Sequence, residues 1–411
     1  MDENIMKCRF CNNELKTSFV DLGKSPMANS YLKDKNKMEP FYPLKTYVCS
    51  NCFLVQLEEF ENPKQIFSDY AYFSSYSTTW VEHIREYVDE VIKKMKIDEK
   101  KQVIEIASND GYLLQFFKKN NIPILGIEPA SNIAKIANEK GIKTINEFFG
   151  EETAKKLAEE GQKADLLIGF NVLPHVPNLN DFMKGLKILL SDKGIITIQF
   201  SAYLLQLIQQ NEFDVIYHEH FSYFSLFTLQ KIFTKYNMTI FDVQEIPIHG
   251  GSLRIFIKHE NNINFEISDN VEKQISKEIK FGIAEISKYP QFQKQTEQVK
   301  QNILELLIKI KKEGKSIAGY GAPAKGNTLL NYCGIGTDFI EYTVDKNPHK
   351  QNLYLPGTNI PVYPIDIIFE KKPDYVLILA WNFKEEIMEQ MKQIRAWGAK
   401  FIVLIPEVVI L

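Results

Sequence analysis

The chain has 411 residues, 45% hydrophobic and 25% charged, with 49 basic against 52 acidic side chains. These values describe a folded chain long enough for two or three domains and exclude a disordered one, and so even a charge balance implies no nucleic-acid or anionic-membrane partner. The first eight residues hold no basic segment followed by an apolar run, and no stretch approaches the ~20 apolar residues of a membrane span, so a cytoplasmic protein without a membrane partner is expected.

Four of the cysteines form two pairs, Cys8-Arg-Phe-Cys11 and Cys49-Ser-Asn-Cys52. Disulfides are disfavoured in a reducing cytosol, and a redox dithiol needs no second copy. Two C-x-x-C pairs instead supply the four thiolates of a tetrahedral zinc site, closed to substrate and therefore structural. Residues 1–70 are short and turn-punctuated, with a turn expected at Gly23-Lys-Ser-Pro26 and prolines at 40 and 43. Metal binding would provide the folding energy that so small a segment cannot gain by burial. Cys333 sits in an apolar stretch and reads as core.

The run Ser68 to Ser77 is dense in aromatic and hydroxyl side chains, Tyr72 and Tyr76 among them. It reads either as a segment lying over a ligand pocket or as core packing. A helix is expected from Trp80 to Met95. Gln102 to Phe117 then reads as a buried strand, a tight turn and a helix, and Ile124 to Pro129 as a second strand tipped by Glu128. A strand, a small-residue turn, a helix and an acid on the next strand tip form the recipe for a nucleoside cofactor. The turn reads Glu105-x-Ala107-Ser108-Asn109-x-Gly111 and lacks the three glycines of a pyrophosphate-binding loop. S-adenosylmethionine therefore suits it better than NAD. Ala164 to Phe170 is another buried strand, and Asn171 falls at its carboxyl end, where a pocket would lie.

A helix over 179–190 and a strand over 194–200 lead to Tyr217-His218-Glu219-His220. Only seven histidines occur in the chain, and two fall here beside a carboxylate and a phenol, inside an apolar and aromatic setting. Such groups exchange protons near neutral pH, as a general base must. A His-x-His stretch is equally a metal half-site or a pair of structural histidines. In an extended strand 217 and 219 face one way and 218 and 220 the other, so Tyr217, Glu219 and His220 converge only if the chain bends.

A helix near 228–236 and antiparallel strands over 239–245 and 251–258 follow, joined through His249-Gly-Gly-Ser-Leu-Arg254. Residues 265–315 turn charged with a helical period. The pattern then restarts. Ser316 to Gly326 is a strand and glycine turn carrying Lys325, Phe339 to Asp345 a strand ending in an acid, and Asp374 to Asn382 an echo of Asp165 to Asn171. This reads as duplication of a doubly wound domain. The expected fold is α/β, two doubly wound Rossmann-like domains in tandem preceded by a small zinc-binding domain, with boundaries at 1–70, 71–260 and 261–411.

Taken together, the cysteine pairs, the E-I-A-S-N-D-G turn, Asn171 to Val176, Tyr217 to Ser225, His249 to Arg254 and Gly319 to Cys333 resemble the bacterial sugar C-methyltransferases. That family installs a methyl branch on nucleotide-linked 4-keto-deoxysugars. The resemblance spans essentially the whole chain. It implies S-adenosylmethionine and structural zinc as cofactors, a nucleotide-linked keto sugar as substrate, and a monomer or homodimer. By resemblance, Ala107, Ser108, Asn109 and Gly111 approach the methionine part of the cofactor, Glu128 its ribose, and Asn171 the same pocket. His220 becomes the base that forms an enolate at C-3, with Glu219, Tyr217 and Tyr76 beside it. Tyr72, His249, Lys325 and Asn327 fall to the substrate, Lys325 toward its phosphates. Two departures stand out: Ala107 where the family usually carries Gly, and Gln199-Phe-Ser-Ala202 where it commonly reads an acid and a proline. O-methylation, another carbon acid, or a non-catalytic zinc-organised binding protein are the competing readings.

Overall fold

The structure is a computed structural model that describes residues 6–61, 74–76 and 78–411. In chain order the strands are β1 (Thr17–Ser25), β2 (Tyr42–Val48), β3 (Val55–Leu57), β4 (Val103–Ile106), β5 (Ile124–Ile127), β6 (Thr144–Ile145), β7 (Ala164–Phe170), β8 (Leu190–Phe200) and β9 (Ser222–Tyr223). They continue as β10 (Met238–Ile246), β11 (Ser252–His259), β12 (Ile317–Tyr320), β13 (Thr343–Val344), β14 (Val362–Tyr363), β15 (Tyr375–Ile378), β16 (Lys400–Val403) and β17 (Val409–Ile410). Three sheets result.

The central sheet has seven strands in the order β10-β11-β8-β7-β4-β5-β6. β4 to β8 are parallel and buried on both faces, which is why they read as continuous apolar runs. The hairpin of β10 and β11 closes the sheet antiparallel against β8. The chain builds outward from β4 to β6, then returns to lay β7 on the other side of β4. That reversal leaves a crevice outside the carboxyl ends of β4 and β7, the place where doubly wound sheets hold ligands.

The C-terminal sheet repeats the plan in six strands, β14-β13-β12-β15-β16-β17, with the corresponding crevice between β12 and β15. The duplication extends to single side chains. Asp165, opening β7, accepts the Gln102 backbone N–H at 3.0 Å; Asp374, before β15, accepts that of Ser316 at 2.9 Å. Glu128 accepts the backbone N–H groups of Asn109 and Ala130 at 2.9 and 2.8 Å. Asp345, past β13, accepts those of Ala322 and Asn347 at 2.7 and 2.8 Å. Each aspartate staples the amino end of its sheet, and each acid at the other end braces the turn after the neighbouring strand.

The N-terminal sheet, β1-β2-β3-β9, is not closed by its own segment. Its last strand is β9, paired through Val55 with Tyr223 and Gln56 with Ser222, immediately after the histidine motif. The turn expected at Gly23 is instead the bulged end of β1, where Gly23 takes φ +77° and the pairing slips between Asp21 and Lys24. Pro43 lies within β2 opposite Lys24. Helices Asp269–Phe281 and Gln291–Lys312 join the two larger sheets. From the first of them, buried Glu278 accepts the N–H groups of Leu226 and Phe227 at 2.7 and 2.8 Å, capping helix Leu226–Lys235. Cys333 is buried, as its apolar surroundings imply. Among the described residues no helix is long and apolar enough to cross a membrane.

Candidate active site

The histidine motif is bent. Phe213–Val215 forms one turn of 3-10 helix, and the His220 N–H then donates to the Tyr217 carbonyl at 2.9 Å, closing a four-residue turn. That turn, and not strand geometry, sets Tyr217 and His220 side by side, with ring centroids 4.0 Å apart. His220 Nδ1–H donates to the Val215 carbonyl at 2.8 Å. The tautomer is thereby set, so Nε2 keeps its lone pair and receives the Tyr217 hydroxyl at 2.8 Å. Burial holds His220 well below the usual imidazole range, and the charges of His175 and Lys325 act in the same direction. At neutral pH His220 is an uncharged acceptor, the state a general base requires.

Its neighbours divide by role. Glu219 accepts from the Asn29 amide at 2.7 Å. His218 donates to the Pro43 carbonyl at 3.1 Å and packs edge-on to Tyr42, so it ties the motif to the N-terminal sheet. His175, just past β7, donates from Nδ1 to the Glu219 carbonyl at 2.8 Å and stands 4.6 Å from the His220 ring. Burial pushes His175 down to about 4.

The second crevice faces the same segment. Lys325, in the first turn of helix Ala324–Cys333, is only partly exposed and places its ammonium 4.3 Å from the centre of the Trp381 ring. The Trp381 indole N–H donates to buried Asp214 at 2.7 Å. Burial raises Asp214 to about 6 and Glu212 to about 8, and in both cases the Lys325 charge opposes the rise. The Lys325 charge thus acts on two carboxyl groups just before the histidine motif. Asn327 is buried, with its amide committed to the Ala28 carbonyl at 2.7 Å. Gly250 explains part of the His-Gly-Gly motif: at φ +92° a Cβ would stand 2.4 Å from the Trp381 ring. A cavity of about 610 Å³ opens beside it, lined by Gln206, Glu245, Gly250, Gly251, Lys277 and Trp381 among others.

At the first crevice Ala107, Asn109 and Gly111 all take positive φ, +54°, +50° and +78°. Their backbone is shaped to approach a ligand. At Gly111 a Cβ would stand 2.8 Å from Ile142. Glu128 is buried, raised to about 7 by desolvation, and among the described residues accepts the backbone N–H groups of Asn109 and Ala130. Ser108 is fully buried, and Asn171, at φ +52°, holds its side-chain oxygen buried without a hydrogen bond. Ser74 N–H and the Ser75 hydroxyl bind Asn109 and Asp110 at 2.9 and 2.5 Å, which docks the segment before helix Thr78–Met95 on this turn. Tyr72 lies outside the described residues, as do the side chains of Tyr76 and His249.

In the N-terminal domain the four sulfur atoms of Cys8, Cys11, Cys49 and Cys52 lie within 4.8 Å of one another, a donor set that fits one tetrahedral metal.

Sequence reasoning missed His175, Glu212, Asp214, Trp381 and Asn29. His175 stood inside the quoted stretch Asn171 to Val176 and Trp381 inside Asp374 to Asn382, and Glu212 and Asp214, a few residues before Tyr217, could have been picked out as titratable groups in an apolar setting. Asn29 gave no local sign.

The sheet order, the acid-tipped second strand and the turn of positive φ define an α/β methyltransferase dependent on S-adenosylmethionine, and residues 80–243 match the family described as "Methyltransferase domain". Residues 8–67 match "Putative zinc binding domain" and 247–406 match "C-methyltransferase C-terminal domain". The chain belongs to the C-methyltransferase family: it is 34% identical over 405 residues to C-methyltransferase NovU of Streptomyces niveus, covering 98% of this chain and 96% of that protein. Solved structures give partial likenesses. The PH0226 protein of Pyrococcus horikoshii OT3 is 15% identical, TM-score 0.37, over 49% of this chain and 99% of its own. Magnesium protoporphyrin IX methyltransferase of Synechocystis PCC 6803 with bound SAM is 14% identical, TM-score 0.33, over 44% and 79%.

Two measurements check this geometry. A left-handed conformation costs a non-glycine residue roughly 1 kcal/mol, so Ala107→Gly should stabilise the protein by up to that amount in denaturant unfolding. His175 stays neutral in the folded protein down to about 4, whereas it takes up a proton at its ordinary value of 6.5 when unfolded. Stability tied to His175 is therefore present above that value and lost as pH falls toward 4. Between pH 7 and 5 the wild type should lose about 1 kcal/mol more than His175→Asn, the full shift being discounted for residual exposure.

Proposed function

We propose that the protein methylates C-3 of a nucleotide-linked 4-keto-deoxysugar, with His220 as the base that forms the enolate. The observation carrying this reading is the His220 geometry: a buried, neutral imidazole whose tautomer directs one lone pair at a phenol. A carbon becomes nucleophilic only when a neighbouring carbonyl acidifies its C–H bond. His220 Nε2 takes the C-3 proton, while the Tyr217 hydroxyl, released from Nε2, donates to the oxygen growing negative at C-4. The imidazolium that results is stabilised by the Glu219 carboxylate. General-base help of this kind supplies typically ~10²–10⁴-fold.

S-adenosylmethionine supplies an electrophilic methyl group when bound, and Ala107 to Gly111, Glu128 and Asn171 would hold it. Tyr72 and Tyr76 would complete the reading as a cover over this turn. The cavity beside Gly250 and Trp381 would receive the rest of the substrate, and Lys325, which stands over the Trp381 ring, would turn toward its phosphates. Cys8, Cys11, Cys49 and Cys52 would hold one structural zinc ion.

Incubation with the cofactor and a panel of nucleoside-diphosphate-linked 4-keto-deoxyhexoses in heavy water should yield a sugar with a carbon-linked methyl. Deuterium exchange and methyl transfer should both fall by at least ~10²-fold in His220→Ala, read by mass spectrometry. Methylation of a substrate lacking the ketone would overturn the carbon-acid reading, and failure to bind the cofactor would overturn catalysis altogether. Metal analysis should find one zinc per chain, and its removal or Cys49→Ser should lower the melting temperature.

A further inference from the structure

We propose that Asn29, carried by the N-terminal domain, is a positioning residue that holds Glu219 for methyl transfer, so that this domain completes the active site. The inference rests on the reading of Glu219 given above. The Asn29 amide donates to Glu219 Oε1 at 2.7 Å, although the two residues belong to different domains.

The loop that carries Asn29 is itself clamped by the C-terminal domain. Asn327 donates to the Ala28 carbonyl at 2.7 Å. The Tyr31 hydroxyl donates to the Ala322 carbonyl, which also accepts the Lys350 ammonium at 2.8 Å. Leu32 and Tyr354 exchange backbone hydrogen bonds of 3.0 and 2.8 Å. These contacts fall on both sides of Asn29 and fix its backbone. Ala322 and Asn327 flank Lys325 on the same glycine turn and helix, so one element of the C-terminal domain reaches both Asp214 and the Asn29 loop.

An amide is suited to this task for an electrostatic reason. Lysine or arginine in its place would cancel the Glu219 charge, whereas a neutral donor orients the carboxylate and leaves its charge available to the imidazolium forming on His220. A supporting hydrogen bond that fixes a reacting group in register is worth most in kcat, because a small misplacement is felt only in the transition state.

A double-mutant cycle tests this, using whichever nucleoside-diphosphate-linked 4-keto-deoxyhexose of the panel is turned over. Asn29→Ala should lower kcat about tenfold with little change in the KM for S-adenosylmethionine, since it removes a contact used in the transition state. Glu219→Gln should lower kcat further, and adding Asn29→Ala to it should cost little more. Asn29→Asp, nearly isosteric, guards against a folding defect and should lose at least as much as Asn29→Ala, because it turns a donor into a like charge. Additive losses in the cycle, or wild-type turnover by Asn29→Asp, would overturn the inference while leaving the role of Glu219 intact. Unchanged turnover by Glu219→Gln would overturn the site reading beneath it.

Discussion

The hydrogen bond from His220 Nδ1 to the Val215 carbonyl is the contact on which the rest of the site depends. A neutral imidazole can carry its proton on either nitrogen, and only one choice leaves the lone pair on the nitrogen that meets the Tyr217 hydroxyl. A backbone carbonyl makes that choice without adding charge, unlike the aspartate of a hydrolase triad, and so leaves the imidazole unprotonated at neutral pH. The carbonyl is held in turn by the 3-10 turn Phe213–Val215, and that turn by Asp214, whose carboxyl group accepts the Trp381 indole. A tryptophan of the C-terminal domain is thereby hydrogen-bonded to the same turn whose last carbonyl receives this histidine.

This dependence accounts for the arrangement of the three sheets. The segment from Asn211 to Tyr223 runs from the C-terminal domain, where Asn211 binds the Pro406 carbonyl, to the N-terminal sheet, where it supplies β9. Along the way it passes the end of β7 through His175. Neither larger domain alone could hold it, since each contributes only one wall. The duplicated C-terminal crevice has kept the strand, turn and acid of a ligand site, yet Asp345 and the Ala322 carbonyl are bound to the chain's own Asn347, Tyr31 and Lys350. Its turn grips a loop of the protein and presents Lys325 to the segment that carries Glu212 and Asp214.

What the sequence made legible was local. The parallel strands, the cofactor turn and the paired aspartates Asp165 and Asp374 each follow from periodicity and from residues within a few positions of one another. The bend at Tyr217 to His220 was forced by requiring three side chains to converge. Lys325 was legible as a residue but not in its surroundings: a lysine after a glycine turn is ordinarily solvated, and only tertiary contact with Trp381 and Asp214 buries it. The same limit hid β9, a two-residue strand with no period to detect, and Asn29, whose partner lies in another domain. Gly23 misled because a left-handed glycine serves a bulge as well as a turn.

The buried charges around the base follow from the same economy of burial. Glu212 and Asp214 both feel the charge of Lys325, and two buried carboxylates so placed cannot both ionise cheaply. Burial raises Glu212 and Asp214 alike, and the Lys325 charge opposes the rise in both. Lys325 thus offsets part of the negative charge that the pair would otherwise gather in a buried place. In the proposed mechanism a net negative cluster would draw a proton onto the imidazole of His220, while the Lys325 charge acting alone would oppose the imidazolium that forms when a substrate proton is taken. In that mechanism Glu219 would be the negative charge set against the imidazolium, which would give its orientation by Asn29 a consequence for the rate.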